Sequence, residues 1–350
     1  MSIPVPPEEI RIGLVGCGLV AQHVHLPVLK GLPGVRVTAL AEADPERLSA
    51  AAAQAPGAAT FADWRALMEE TDVDAVVVCL PPALHAVAAV AAFAEGRHVY
   101  LEKPLASSLD EAAAILDAWR EAGTVGMVGF NFRFEPQVED ARRRLQEGAI
   151  GAPIGVRTSF TLAPHDVPAW KRDRVQGGGV LLDLASHHAD LSAFLFGLGV
   201  EDVTADAGAL GGTHAAVQFT LTGGVPVQTL VSLGTVEEHR IEVYGTTGKL
   251  TIDRIEQTVV GFTPATLDGT RARRIGRALG GLDPRQLLRS PGAGPSFARA
   301  LGHFAQAIRG APFIGPDLLD GARSLAVIEA AERSATSGRR EAPVGVSAPR

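Results

Sequence analysis

Three side chains that can move protons or stabilise charge stand in two short stretches of the sequence. Lys103 follows the apolar run 98–101, which is typical of a buried strand, and open α/β sheets bind ligands at the carboxyl ends of their strands. Asp183 and His187 are four residues apart in a helical pattern, so both can face one ligand. Histidine can act as a base near neutral pH, and lysine can stabilise a developing oxyanion. These residues predict a site for proton transfer.

The periodicity of the second stretch separates its two histidines. At about 100° per residue, two stripes form. The apolar stripe holds Leu181, Leu184, His188, Leu191 and Leu195, and the polar stripe holds Asp183, His187 and Asp190. His188 is therefore predicted to be structural. Because adjacent helical side chains diverge, the histidine pair does not suit a metal ion, and we expect no metal site.

A glycine-rich turn follows the first predicted strand, 11–16. Gly16, Gly18 and Ala21 give the spacing G-x-G-x-x-A, in which the first glycine makes the turn and the second lets a pyrophosphate approach. Leu19 and Val20 then open a helix whose free N–H groups favour an anion. A merely tight structural turn is the alternative. The surrounding strand–helix–strand pattern favours dinucleotide binding.

The end of the second predicted strand bears on the choice of dinucleotide. Glu42 lies about twenty residues past the glycines, where a carboxylate accepts hydrogen bonds from ribose hydroxyls. The same carboxylate would repel a 2′-phosphate. Arg47, one helical turn later, argues the other way. We expect NAD as the cofactor and consider NADP the weaker alternative.

Two kinds of hydrophobic pattern predict the secondary-structure elements that position these residues. From 11 to 128, apolar runs alternate with helical segments, which predicts a doubly wound parallel sheet with right-handed crossovers. Beyond Gly129, alternating runs and the tight link from Gly245 to Gly248 predict a large, mostly antiparallel open sheet. The fold class is thus α/β plus α+β. We predict a dinucleotide-binding domain over 1–128 and a substrate-binding and oligomerisation domain over 129–350.

Composition excludes several classes of function. The formal net charge of −7 argues against a nucleic-acid partner, which needs a concentrated positive surface. No uninterrupted apolar stretch suits a membrane span, and the first residues lack the apolar core of a signal peptide. We therefore expect a cytoplasmic protein whose Cys17 and Cys79 stay reduced and inert.

The arginine-rich segment 271–295 is typical of a solvated connecting loop. A substrate lid, a subunit arm or a phosphate-recognition element are the alternatives left open. The last residues, 338–350, are expected to be at least partly frayed.

With these motifs in hand, the chain resembles the glucose-fructose oxidoreductase, inositol dehydrogenase and rhizopine-catabolism group, the Gfo/Idh/MocA family. The resemblance covers 11–337 and rests on the glycine turn, the Glu102-Lys103-Pro104 string, the phenylalanine-rich segment 130–134 and the triple glycine before Asp183 and His187. It implies an N-terminal Rossmann domain and assembly into homodimers or homotetramers. Leu80, where the family often has threonine, and Glu42, where it often has aspartate, are departures.

The resemblance also implies roles for individual residues. The catalytic group would be Lys103, Asp183 and His187. The cofactor-binding residues would be Gly16, Gly18, Leu19, Val20, Glu42, Leu80, Pro81, His85, Glu102, Lys103 and Asn131, although a capping or half-buried role is an equal alternative for His85. The substrate-binding residues would be Lys103, Arg133, Trp170, Arg172, Asp183 and His187.

The implied activity is hydride transfer between nicotinamide and a secondary alcohol or ketone of a sugar, cyclitol or sugar derivative. His187 would take the hydroxyl proton while Lys103 stabilises the oxygen. Lys103 and His187 are expected to face one cavity beside the nicotinamide, with a cis bond before Pro104 aiming the lysine. An NAD-retaining glycoside hydrolase and a non-catalytic dinucleotide-binding regulator are the alternatives.

Overall fold

The computed structural model describes residues 9–164, 171, 174, 178–207, 212–255, 259–265 and 295–346. Within these ranges the strands form two separate sheets, one with six strands and one with seven. Trp170, Arg172 and nearly all of the arginine-rich segment lie outside the described residues. The predictions made for them stay predictions.

The first sheet is entirely parallel, with the strand order β3-β2-β1-β4-β5-β6. Its strands are β1 (Ile10–Val15), β2 (Val35–Ala41), β3 (Ala59–Phe61), β4 (Ala75–Val78), β5 (His98–Leu101) and β6 (Gly126–Val128). The helices between them are α1 (Leu26–Gly31), α2 (Pro45–Gln54), α3 (Trp64–Glu70), α4 (His85–Ala94) and α5 (Leu109–Ala122). This is the doubly wound arrangement that the alternating pattern predicts.

Local chemistry sets the ends of these helices. The carboxylate of Asp44 accepts hydrogen bonds from the backbone N–H groups of Glu46 and Arg47 and so caps α2. Ser108 caps α5, which ends at Gly123 in the left-handed conformation. All four residues of β4 are buried, as expected for a strand covered on both faces.

The second sheet has the order β13-β12-β11-β7-β10-β9-β8 and is antiparallel except where β10 pairs with β7. Its strands are β7 (Pro153–Thr161), β8 (Val200–Asp206), β9 (His214–Leu221), β10 (Val225–Ser232), β11 (Glu238–Gly245), β12 (Gly248–Asp253) and β13 (Gly261–Pro264). The tight link after Gly245 joins β11 and β12 as a hairpin, as predicted.

Four longer helices complete the described fold. They are α6 (Pro136–Gln146), α7 (Ser186–Phe196), α8 (Pro295–Ile308) and α9 (Leu318–Ser337). Helix α9 packs against β8 and α7, so it covers part of the second sheet. Along β9 the residues Ala215, Val217, Phe219 and Leu221 are buried while their neighbours point outward.

Helix α8 returns to the first sheet although it follows the second sheet in the chain. Leu301 and Phe304 join one core cluster with Ile12 and Leu14 of β1. Phe304 also meets the buried ring of Tyr100 on β5 edge-on, with 5.8 Å between ring centroids. One face of the parallel sheet is therefore completed by a late part of the chain.

The predicted fold class is confirmed, and the differences lie in its details. The first predicted helix, 19–30, is divided into a π-helical turn, Ala21–His25, and α1. The alternating runs beyond Gly129, at 156–162, 215–221, 225–233, 240–244 and 249–253, predict five strands of the second sheet but not β8 and β13. The tail is more ordered than expected up to residue 346, because Glu341 pairs with Val203 of β8. The domain division at 128 stays a prediction.

Among the described residues, no helix is both long and apolar enough to cross a membrane. Cys17 and Cys79 are both free thiols. Burial, together with the nearby Glu42 carboxylate, raises the pKa of Cys17 to about 12. Burial also raises the pKa of Cys79 well above its ordinary value. Both sulfurs therefore stay protonated at neutral pH, where a thiol is a poor nucleophile.

Candidate functional site

A cleft of about 950 Å³ opens at the carboxyl ends of β1, β2 and β4. Its walls include seven of the predicted cofactor-binding residues, namely Gly16, Gly18, Leu19, Val20, Glu42, Leu80 and Pro81. Lys171, from the second predicted domain, also lines this cleft. The cleft lies where open parallel sheets bind ligands.

The two glycines of the turn differ in what surrounds them. Gly16 has φ +86°, and a Cβ there would lie 2.7 Å from the carbonyl oxygen of Cys79, so no side chain fits. A Cβ at Gly18 would meet nothing within 4 Å and would project into the cleft. Gly16 is thus required by packing, whereas Gly18 keeps space open beside a helix amino terminus. That space fits a pyrophosphate.

The Glu42 carboxylate lies at the edge of this space. Its Oε2 accepts a hydrogen bond from the backbone N–H of Cys17 at 2.7 Å, and its Oε1 accepts one from Asp44 N at 3.1 Å. Arg47 lines the same cleft and lies 3.6 Å from the Asp44 carboxylate. A carboxylate fixed beside the glycine turn suits the ribose hydroxyls of NAD.

Lys103 contacts Asp183 directly. Lys103 Nζ lies 2.5 Å from Asp183 Oδ1 and donates a second hydrogen bond to the Asp183 carbonyl oxygen at 2.9 Å. The Lys103–Pro104 peptide bond is cis, as expected. Since the side chains are only 17% and 13% exposed, this pair is largely shielded from water.

Asp183 is held by a second lysine. Lys171 Nζ lies 3.2 Å from Asp183 Oδ2, so each carboxylate oxygen has its own ammonium partner. Burial alone would raise the pKa of Asp183, but Lys103 and Lys171 hold it well below its ordinary value. The aspartate is therefore ionised throughout the neutral range, and it keeps both lysines in place.

His187 lies one turn further along the same helical segment and is 5% exposed. Its ring stacks on Phe132, with 4.2 Å between centroids and an interplanar angle of 27°. Burial and then the positive charge of Lys103 lower the pKa of His187 well below its ordinary value. The imidazole is consequently neutral at physiological pH, which is the form that can accept a proton.

Phe132 separates His187 from a half-buried arginine. The Arg254 guanidinium lies 3.7 Å from the Phe132 ring centroid and is paired with Glu135 at 2.7 Å. Arg254 also contacts His239 Nδ1 at 2.7 Å. The catalytic candidate is thus backed by an aromatic ring and a fixed positive charge.

These contacts determine the tautomers of the two neighbouring histidines. Because a guanidinium can only donate, His239 Nδ1 accepts from Arg254 and His239 Nε2 carries the hydrogen. His239 Nε2 then donates to His188 Nε2 at 3.3 Å. Burial lowers the pKa of His188 to about 3. His188 lies in the packed interior, on the side of the helix predicted to be structural.

Four residues that were predicted to contact the cofactor or the substrate bind other protein groups in the structure. They do not line the described wall of the cleft. Both ring nitrogens of His85 lie 2.8 Å from backbone carbonyl oxygens, of Pro104 and Leu80. Glu102 pairs with His25 at 2.7 Å. Asn131 Nδ2 donates to Ser296 Oγ at 3.0 Å. These buried groups have found partners within the fold, so their side chains support the loops around the cleft.

Arg133 is the fourth of these residues. Its guanidinium contacts Asp190 at 2.5 Å and Asp320 at 2.8 Å. Burial alone would lower the pKa of Arg133, but the two carboxylates raise it above its ordinary value. The two carboxylates hold the guanidinium in place through Nε, Nη1 and Nη2, and the contact of Arg133 with a substrate stays a prediction.

The described wall of the cleft includes Lys171 but neither Lys103 nor His187. A cavity shared by Lys103 and His187 beside the nicotinamide stays a prediction. Lys171, Phe132, Arg254 and His239 were missed as site residues by sequence reasoning. Only Phe132 carried a signal, as a member of the phenylalanine-rich segment before Glu135.

Two family models together match most of the chain. The Gfo/Idh/MocA model described as "Oxidoreductase family, NAD-binding Rossmann fold" matches residues 10–130. The Gfo/Idh/MocA C-terminal domain model matches residues 138–251. The two matched regions are those that hold the parallel sheet and much of the second sheet.

Curated relatives extend this match to nearly full length. The 1,5-anhydro-D-fructose reductase of Ensifer adhaerens is 30% identical over 339 residues, which cover 94% of this chain and 97% of the relative. The inositol 2-dehydrogenase of Rhizobium meliloti is 29% identical over 347 residues, covering 95% and 98%. The levoglucosan dehydrogenase of Pseudarthrobacter phenanthrenivorans is 28% identical over 286 residues, covering 76% and 68%.

Solved structures agree in fold. An oxidoreductase domain protein from Kribbella flavida superposes with a TM-score of 0.82 at 26% identity, covering 96% of this chain and 100% of that one. The resemblance inferred from the glycine turn, the Glu102-Lys103-Pro104 string and the downstream Asp183 and His187 is confirmed by these matches. The chain belongs to the Gfo/Idh/MocA family of oxidoreductases, and its N-terminal part is an NAD-binding Rossmann domain.

Proposed function

We propose that the protein oxidises a secondary alcohol of a sugar, cyclitol or sugar derivative, or reduces the corresponding ketone, with Lys103, Asp183 and His187 acting on the reacting oxygen. The observation that carries the proposal is the direct contact of Lys103 with Asp183, one helical turn from a neutral, buried His187. Relatives named for levoglucosan, inositol and anhydrofructose support this class of substrate.

Bound NAD would supply the acceptor or donor for hydride. Lys103 Nζ has three donors, and Asp183 uses two of them through its Oδ1 and its carbonyl oxygen. The third donor remains for the substrate oxygen, whose negative charge it stabilises as the hydroxyl proton leaves. The ionised Asp183 orients the ammonium group toward one place.

His187 would receive the hydroxyl proton. Its lowered pKa leaves the imidazole unprotonated at neutral pH, so the base is ready before substrate arrives. Stacking on Phe132 fixes the plane of the ring and so the direction of its lone pair. The same groups run in reverse would return the proton during ketone reduction.

The cleft supports NAD over NADP. Glu42 places negative charge beside the glycine turn, where it would accept hydrogen bonds from the ribose and repel a 2′-phosphate. We propose that Gly16, Gly18, Leu19, Val20, Leu80 and Pro81 form the remaining cofactor contacts. Substrate contacts by Trp170 and Arg172, a cytoplasmic location and assembly into homodimers or homotetramers stay predictions.

The test is a panel of cyclitols, aldoses, keto-sugars and nucleotide-sugars, assayed in both directions with both nicotinamide cofactors. On the substrate found, Lys103→Met and His187→Ala should each lower kcat by about 10²- to 10⁴-fold, as expected for loss of an oxyanion partner or a base. The NADH dissociation constant should change little. Lys30→Met, at an exposed position on α1, is the matched control for the lysine.

Turnover close to that of the unaltered protein in both variants would contradict the mechanism. Tighter binding of NADPH than of NADH would contradict the role of Glu42. Sugar release without a net change in nicotinamide absorbance would support the glycoside hydrolase instead, and binding of NADH without turnover of any panel member would support the regulatory alternative.

A further inference from the structure

A second cavity, of about 530 Å³, lies apart from the cofactor cleft. It is enclosed by α6, α7, α9 and the segment 343–346. None of the described residues lines both cavities. Its volume falls in the range of small-molecule sites.

The charges around this cavity do not balance. Arg133 at its floor is paired with Asp190 and Asp320. Arg323 lies 3.5 Å from Asp320, so it shares a carboxylate that Arg133 already uses. With Arg142 included, the lining holds three guanidinium groups and two carboxylates. One positive charge is left without a counterpart among the described residues of the wall.

Arg142 carries that excess charge. Its guanidinium lies 4.1 Å from the centroid of the Phe194 ring, and its Nε is buried without a hydrogen-bond acceptor. Arg142 forms no ion pair with any residue that the structure describes. Burial and then the charge of Arg133 lower the pKa of Arg142 below its ordinary value. A partly buried donor left without an acceptor is costly, so this side chain is set up for a partner from outside.

The neighbouring arginines on α6 have carboxylate partners, so the lack of such a partner at Arg142 is not a general property of this helix. Arg143 is paired with Asp140 and Glu147 at 2.5 and 2.8 Å. Arg144 is paired with Asp140 at 2.9 Å. Of these consecutive arginines on α6, only Arg142 turns toward the cavity, and it alone lacks a carboxylate among the described residues.

We propose that this cavity is a binding site for a small organic monocarboxylate. The carboxylate would accept two parallel hydrogen bonds from Arg142, a geometry that the planar guanidinium favours. The apolar part of the ligand would contact Phe194, Leu198 and Val327, which line the same space. A single excess positive charge matches a monoanion. The proposal does not depend on the proposed dehydrogenase function, since the two cavities are separate.

The test is isothermal titration calorimetry of the full-length protein with benzoate and with benzamide, the neutral counterpart of benzoate. It measures the dissociation constant of each compound. Benzoate should bind the unaltered protein and Arg143→Gln with equal affinity. Arg142→Gln should weaken binding roughly tenfold or more, the effect of removing a hydrogen-bonded charge. Arg142→Lys keeps the positive charge but loses the planar guanidinium. Its affinity for benzoate should fall between those of the unaltered protein and Arg142→Gln. Saturating NADH should not compete.

Three results would overturn the proposal. They are unchanged benzoate affinity in Arg142→Gln, equal binding of benzamide and benzoate, and displacement of benzoate by NADH. The unfolding temperature of each unliganded variant shows whether it has folded. If Arg142→Gln fails to fold, Arg142→Lys decides the question, because unchanged affinity there removes the argument for the guanidinium.

Discussion

The carboxylate of Asp183 contacts two lysines, one through each of its oxygens. Lys103 takes Oδ1 and Lys171 takes Oδ2. Because Lys171 shares the carboxylate, Asp183 does not fully neutralise Lys103, which keeps positive charge available for a substrate oxygen. Lys171 also lines the cofactor cleft, so it joins the catalytic candidates to that cleft.

Replacing Lys171 should therefore affect both rate and pH dependence. We expect Lys171→Met to lower kcat by roughly tenfold, the scale of one charge-assisted hydrogen bond. Removing a cation also raises the pKa of Asp183, so the acidic limb of the kcat/KM profile should move to higher pH. Lys171→Arg should restore most of the rate and the profile. An unchanged acidic limb in Lys171→Met would show that Lys171 does not act through Asp183.

For single residues, the sequence predicts which side chains take part in the site but not which groups they contact. The placement of Asp183 one turn before His187 follows from helical spacing, and the position of Lys103 follows from the strand before it. The partners of Arg133 in the structure, Asp190 and Asp320, are 57 and 187 residues away in the chain, and sequence reasoning did not predict them. The environment of Arg133 depends on tertiary packing, which no local pattern reports.

The β1–α1 turn contains two glycines with different reasons to be glycine. Gly16 combines a positive φ with a close approach to the Cys79 carbonyl, so its role is to let β1 and β4 lie side by side. Gly18 has open space where a side chain would be, so its role concerns what enters the cleft.

This difference predicts separable effects. Gly16→Ala should reduce the free energy of unfolding by about 1–3 kcal/mol, from backbone strain and the clash with Cys79. Gly18→Ala should leave that free energy nearly unchanged while weakening NADH binding, because its methyl group enters the pyrophosphate space. Chemical denaturation and a fluorescence titration with NADH measure the two. Equal loss of stability in both variants would contradict the assignment.

Element boundaries show where hydrophobic periodicity is a weak signal. The two missed strands, β8 and β13, are the two edges of the seven-stranded sheet. An edge strand pairs on one side only and tolerates charged residues, as the pattern of β8, with Glu201, Asp202 and Asp206, illustrates. Interior strands such as β4, buried on every residue, were predicted closely.

Histidines that stay neutral in the folded state are spread over the described part of the molecule. Six of the described histidines have a lowered pKa with burial as the main cause, namely His85, His98, His187, His188, His239 and His303. In the unfolded chain their pKa is near 6.5. The stability gained by keeping them neutral is complete above about pH 6.5 and is lost as the pH falls, because only the unfolded histidines then take up protons.

The free energy of unfolding should consequently decrease steeply below pH 6.5. Between its pKa in the folded protein and about pH 6.5, each of these histidines contributes up to about 1.4 kcal/mol per pH unit. His188, whose pKa in the folded protein is about 3, contributes down to about that pH. Urea unfolding at several pH values measures the slope, and His188→Gln should reduce it, with His23→Gln at an exposed position as control. An identical slope in His188→Gln would contradict this account.

The return of α8 to the parallel sheet limits how this protein can be recombined with its relatives. Leu301 and Phe304 fill the core beside Ile12 and Tyr100, so the nucleotide-binding half is not finished at the end of β6. A chimera that exchanges substrate-binding halves at residue 128 would join a foreign α8 to this sheet. Substrate specificity can be transplanted cleanly only if residues 295–308 travel with the sheet that they cover.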